Sequence, residues 1–279
     1  GWIDSLVSTG ALMAHGFIES IGLKHYKYER EKMDDEWLCQ KGLNRVYDTL
    51  EPELNFMQAE KVLTAALKEL LQTDRYIHSQ KVCWAVGRHL SQHYQGMGVL
   101  KSAFEQDVAV YIPAFTDSEL ALDMAMNLLS DHPEFASQEG EPGELPFQFN
   151  PFLDLFHYTR RVMPAKKLGI FTIGGGVPRN WAQQLGPFVE LTAQKVRDLD
   201  WDRSKRFHYG VRICPEPEHW GGLSGCSYQE GVSWGKFISP QQGGRFAEVH
   251  SDATIAWPLL VKGLQQRQAK KRSAQQDKG

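Results

Sequence analysis

Short apolar runs alternate with longer amphipathic stretches along almost the whole chain, and this rhythm constrains the fold more than any single residue does. Residues 2–8, 108–112, 167–173, 207–213 and 247–250 are apolar runs of strand length. Around them, residues 11–21, 57–72, 79–93, 179–196, 228–237 and 252–270 place apolar side chains three and four apart, the helical period. Such alternation builds an α/β fold, a mainly parallel sheet flanked by crossover helices. Pro113 ends the second strand, and Asp252 stands where it would cap the last helix. Residues 130–146, rich in Glu, Gly and Pro, and the charged 197–206 read as surface loops. No repeat or linker divides the chain, which predicts one domain over residues 1–267. A polar, basic tail, 268–279, is expected to be disordered. The first run opens at residue 2, as though in mid-sheet, so further sequence is expected upstream.

Composition narrows the class. Hydrophobic residues make up 42% of the chain, enough for a substantial core, while a net charge of −3 leaves no basic excess for nucleic acid. No apolar run approaches the roughly 18 residues of a membrane span, and no signal peptide opens the chain. Cys39, Cys83, Cys214 and Cys226 are scattered, without a CxxC or Cys/His ligand spacing. No metal and no disulfide framework is therefore expected, and reduced thiols fit a cytoplasmic protein.

Three motifs carry chemistry. Gly174, Gly175 and Gly176 sit between a strand and a helix, where glycines let a phosphate-bearing ligand approach the backbone; a tight turn without a ligand gives the same pattern. The stretch Glu230-Gly231-Val232-Ser233-Trp234-Gly235-Lys236 places a lysine beside a large aromatic. Helical spacing would put Lys236 on one face with Val232 and Ser233. Desolvation there would leave a neutral amine able to attack an imine, and Trp234 could cover an amine substrate. The plain alternative is a surface lysine beside a core tryptophan. Third, Asp117, Glu119 and Asp123 follow the strand that ends at Pro113. Carboxylates at that end of a parallel strand suit a polycation, although Asp117 could equally cap the next helix; Glu119 is the better amine anchor.

These blocks resemble the deoxyhypusine synthase family, which has an E-A-V-S-W-G-K stretch, then D-A-[ST] and an F-P-L-L helix. The counterparts here are Glu230 to Lys236, Asp252-Ala253-Thr254 and Trp257-Pro258-Leu259-Leu260. Ser8-Thr9-Gly10-Ala11, Gly42-Leu43-Asn44-Arg45-Val46, Pro113-Ala114-Phe115-Thr116-Asp117, Asn150-Pro151 leading into Asp154, and Gly174-Gly175-Gly176-Val177 match in family order. The resemblance implies a Rossmann-like, doubly wound fold, a homotetramer and NAD as cofactor. It implies that spermidine or a related polyamine is oxidised to an imine and that Lys236 displaces diaminopropane and carries the aminobutyl group. An acceptor amine then takes that group, as a lysine of the hypusine-bearing translation factor does. Trp234 and Glu230 map to substrate positions; Thr9, Gly10, Asp117, Gly175, Gly176, Asp252 and Ala253 map to cofactor positions, with Gly174 beside them.

The departures fall at the substrate. Asn180 stands for the family histidine after the triple glycine, and Gln184 for an asparagine one turn on. The D-G-S-D-S-G segment reads Trp220-Gly221-Gly222-Leu223-Ser224-Gly225, without either acid. Asn180 and Gln184 can hydrogen-bond an amine but supply no counter-charge. These changes resemble the bacterial deoxyhypusine-synthase-like branch and admit a small diamine as acceptor. The family's N-terminal portion, with its first nucleotide-binding strand, has no counterpart in the sequence.

Overall fold

The computed structural model of the chain describes residues 2–136 and 145–276. Where the sequence predicts one domain, contacts divide the chain into two compact units, Gly1–Tyr158 and Thr159–Gly279.

The first unit opens with β1 (Ser5–Val7), α1 (Gly10–Ser20), β2 (Tyr26–Lys27), α2 (Asp35–Gln40), β3 (Leu43–Val46) and β4 (Thr49–Pro52). It continues with α3 (Glu53–Leu71), β5 (Tyr76–Ile77), α4 (Ser79–His93), α5 (Val99–Glu105), β6 (Ala109–Tyr111), α6 (Glu119–Asp131) and β7 (Gln148–Phe149). The unit boundary falls within α7 (Phe152–Val162). Strand β1 pairs in parallel with β6, and β5 with β7, while β2, β4 and β3 form an antiparallel sheet in that order. The helices supply most of the core. α4 turns Val82, Val86 and Leu90 inward at four-residue spacing, against Leu63, Ala66 and Leu70 of α3 and Phe17 of α1.

The second unit contains β8 (Leu168–Ile173), α8 (Val177–Gln183), α9 (Leu185–Lys195), β9 (Phe207–Ile213), α10 (Tyr228–Ser233), β10 (Arg245–Val249) and α11 (Ala253–Gln276). Its sheet is parallel, in the order β10-β9-β8. Phe207, Tyr228 and Phe237 are buried, and Tyr228 and Phe237 meet edge to face with centroids 4.9 Å apart. No helix among the described residues is long and apolar enough to cross a membrane.

Parallel strands joined through helices are the α/β arrangement that the alternation predicts. Several boundaries differ for identifiable reasons. The strand expected over residues 2–8 shrinks to three residues, and Trp2 and Ile3 are exposed. The helix expected over 179–196 divides at Gln184, because Pro187 has no N–H to offer the Gln183 carbonyl. α11 continues past residue 270 through Lys, Arg, Ser, Ala and Gln, all but the serine good helix formers, so the tail expected to be disordered is helical as far as Gln276. In the loop expected over 130–146, α6 ends at Asp131 and a 3₁₀ turn spans Pro133–Ala136, while residues 137–144 lie outside the described residues.

Candidate active site

Lys236 is placed by a helix end rather than by a helix face. Ser227 caps α10 by accepting the Glu230 N–H at 3.3 Å, and the helix stops at Ser233, four residues short of the expected end. The chain then turns through Gly235 at φ +68°, a conformation that side chains with a Cβ rarely adopt. The Gly235 N–H donates to the Val232 carbonyl at 3.1 Å and the Lys236 N–H to the Gly231 carbonyl at 3.0 Å. This paired pattern is a Schellman cap, with Lys236 one residue beyond the left-handed glycine. The Lys236 carbonyl accepts the Phe207 N–H at 3.0 Å, which ties the same residue to the start of β9. The main chain of the lysine is thereby fixed on both sides.

Its side chain enters a cleft of about 750 Å³ in the second unit. The amine donates to Asn180 Oδ1 at 2.8 Å and lies 5.8 Å from the centre of the Trp234 indole, which is itself 64% exposed. Burial lowers the Lys236 pKa first, and the Arg179 guanidinium lowers it further; Cys226 and Glu230 oppose them. Asn180, Gln184, Glu230, Trp234 and Lys236, all singled out in the sequence, line this one cleft together with Gly176 and Leu223.

The opposite wall is a loop held by two arginines. Arg179, buried, donates to the Ser224 carbonyl at 3.0 Å and to that of Cys226. Arg212, 1% exposed, donates to the same two carbonyls at 2.6 and 2.9 Å and pairs with Glu248. Gly175 lets this loop close in, since a Cβ there would come within 2.6 Å of the Ser224 Cα. Its neighbours differ. Gly174 and Gly176 have φ of +74° and +76°, and nothing lies within 4 Å of a Cβ built on either, so the space beside them is open to a ligand. Gly174, Gly175, Asp252 and Ala253 do not line the cleft. Asp252 opens α11, accepting the Thr254 N–H at 2.8 Å, the capping role its position predicts.

The remaining predicted residues belong to the first unit. Thr9 caps α1 by accepting the Leu12 N–H at 3.3 Å, and Gly10 packs where a Cβ would meet Ser118. Ser118, not Asp117, caps α6, which leaves Asp117 exposed. Glu119 faces His15 at 3.7 Å, whereas Asp123 is buried and held protonated up to about pH 6 by burial and by Glu60 and Glu119. The three acids therefore do not form one open cluster. Sequence reasoning missed Arg179, Cys226 and the ion pair of Arg206 with Glu190 at 3.1 Å, all lining the Lys236 cleft. Arg179 and Cys226 adjoin noted motifs; the Arg206–Glu190 pair joins segments 16 residues apart and carries no local signal.

Comparison with known proteins agrees with the motif order. The deoxyhypusine synthase family model matches residues 1–264. A "Probable deoxyhypusine synthase 2" of Methanosarcina acetivorans is 29% identical over 266 residues, 95% of this chain and 69% of that one. A "Probable deoxyhypusine synthase 1" of Methanosarcina mazei is 30% identical over 271 residues, covering 97% and 74% of the two chains. A crystal structure of a candidate deoxyhypusine synthase from Entamoeba histolytica overlaps 76% of this chain and 56% of its own, with a TM-score of 0.45 at 12% identity. A match over 264 of 279 residues places this chain in the deoxyhypusine synthase family, a family of aminobutyl-transferring enzymes.

Proposed function

We propose that the protein is an NAD-dependent aminobutyltransferase that takes the butylamine group of spermidine or a related polyamine and carries it on Lys236. The observation that carries this reading is the lysine amine itself, depressed in pKa and oriented by Asn180 inside an open cleft. A non-catalytic binding protein of this fold would have no use for such a group.

NAD, when bound, supplies the oxidation that makes the donor carbon electrophilic and the later reduction that closes the cycle. The open space beside Gly174 and Gly176 fits a cofactor that must approach main chain, and Gly175, Asp252 and Ala253 are the further residues of this unit that would hold it. The protein's own chemistry centres on Lys236. Its Nζ donates one N–H to Asn180 Oδ1, which leaves the lone pair of the neutral amine free to add to the oxidised donor. Diaminopropane leaves, and the aminobutyl group stays on Nζ as an imine. An acceptor amine adds to the same carbon and releases Lys236 unchanged. Trp234, exposed beside the amine, offers an aromatic surface to the alkyl chain, and Glu230 offers counter-charge to an ammonium.

The acceptor is a protein lysine, as in hypusine formation, or a small diamine, as in homospermidine synthesis; the changed segment around Leu223, which lines the cleft, is where the two would be told apart. We place the enzyme in the cytoplasm as a homotetramer. Incubation with NAD, spermidine and a panel of amines, with products identified by mass, tests the activity and names the acceptor. Borohydride added during turnover should fix a butylamine mass on Lys236 and on no other lysine. Lys236→Ala should abolish transfer while NAD binding persists, and Lys236→Arg should fail equally because a guanidinium stays protonated. A fully active Lys236→Ala protein would overturn the mechanism.

A further inference from the structure

Away from the lysine cleft, the first unit gathers two histidines on one buried carboxylate. His15 projects from α1, His25 lies just before β2, and Glu51 belongs to β4, the central strand of the antiparallel sheet. The Glu51 side chain is 1% exposed. Its Oε2 meets His15 Nδ1 and lies 3.3 Å from His25 Nε2, so both imidazoles converge on one oxygen. Its other oxygen, Oε1, is buried and has no hydrogen-bond partner among the described residues. A buried carboxylate oxygen without a partner is costly, and the two histidines do not relieve it. Glu119 faces the other nitrogen of the same ring, its Oε1 3.7 Å from His15 Nε2, and so stands outside the cluster.

We propose that His15, His25 and Glu51 form a binding site for a divalent first-row transition metal. Donor atoms of the three residues already lie within 4.8 Å of one another, from three separate segments of the unit. Two imidazoles and one carboxylate are a donor set that zinc accepts, with its fourth position left to water. A dication would also balance the Glu51 charge while the histidines stay neutral, and the carboxylate can turn its orphan oxygen toward it. With ligands from α1, the segment before β2 and β4, the ion would clamp α1 to the antiparallel sheet. A second cluster, Glu69, His89 and His93, is a weaker candidate, because Arg88 donates to the Glu69 carboxylate at 2.8 Å. No short motif marks the first cluster, since its ligands come from positions far apart in the sequence.

The test is a zinc titration of the tag-free full chain, stripped with a chelator, by calorimetry at mildly alkaline pH. Cobalt absorption reads the coordination geometry, and thermal melts are run beside it. One equivalent should bind with micromolar affinity or tighter and raise the melting temperature. His25→Gln and Glu51→Gln should each weaken binding about 100-fold or more and remove the thermal gain. His93→Gln, at the second cluster, should bind as the wild type does. Circular dichroism separates a misfolded Glu51 variant from a folded one; His25→Gln, at a partly exposed position, carries the result if Glu51→Gln unfolds. The site is refuted by a wild-type protein that binds no zinc, by a His25→Gln variant of undiminished affinity, or by a loss in His93→Gln instead.

Discussion

At the scale of single residues, the cleft is governed by which charges face Lys236. Arg179 depresses the lysine pKa after burial does, so its removal should be visible as a titration. In the proposed mechanism the neutral amine is the nucleophile, and the rate of transfer should therefore rise with pH and level off below the ordinary lysine value of 10.5. Arg179→Gln should move that rising limb to higher pH, and a pH–rate profile of both proteins checks it. The stability sign is the same. The unfolded chain binds the lysine proton more tightly, so stability contributed by this group grows as pH climbs through the folded value. Leu223→Asp restores an acid to the cleft and should shift competition between spermidine and putrescine toward spermidine, roughly tenfold for one charge-assisted hydrogen bond. An unchanged ratio would mean that position 223 does not meet the amine. Lys236, Trp234, Glu230, Asn180 and Gln184 were legible because they stand in or beside compact motifs. The loop-holding role of Arg179 and Arg212 was not, since it depends on carbonyls 45 and 12 residues away.

Elements show where local pattern gives way to context. α4 and β9 begin and end where periodicity and apolar length place them, because each is bounded by polar or loop-forming residues. α10 was overextended because Trp234 and Phe237 continue the apolar rhythm past Gly235, and rhythm alone cannot register a positive φ. The strands of the antiparallel sheet were missed, being two to four residues long with charged residues among them. α6 offers a test of its packing. Asp123 is buried on it, facing Glu60 and Glu119, and its pKa is raised from 3.8 to about 6. Between those values the folded state holds the proton more tightly, so stability falls as pH rises, and the penalty persists at neutrality. Asp123→Asn should recover about 1 kcal/mol at pH 7 after allowance for solvent screening, or roughly 3 °C in melting temperature. Near pH 4 the gain should vanish. Thermal melts at the two pH values would expose a gain that ignores pH, which would rule out ionisation as the cause.

For the whole molecule, the proposed homotetramer needs apolar surface to bury. α6 exposes Leu122, Met126 and Leu129 at i, i+4 and i+7, one continuous stripe. Met126→Glu should lower the mass seen by sedimentation, whereas a tetramer untouched by it would place the interface elsewhere. The sequence foretold parallel α/β architecture but not the division at Tyr158, because no change of composition marks a boundary that runs through a helix. A last consequence concerns the lysine cap. With both main-chain groups of Lys236 engaged, its four methylenes act as a tether on a rigid post. If Lys236 carries the group as proposed, loading and unloading happen within one tether's sweep, and the donor carbon and the acceptor amine visit the same small sphere in turn. An acceptor for that mechanism must be slender enough to deliver its nitrogen there without asking the post to move.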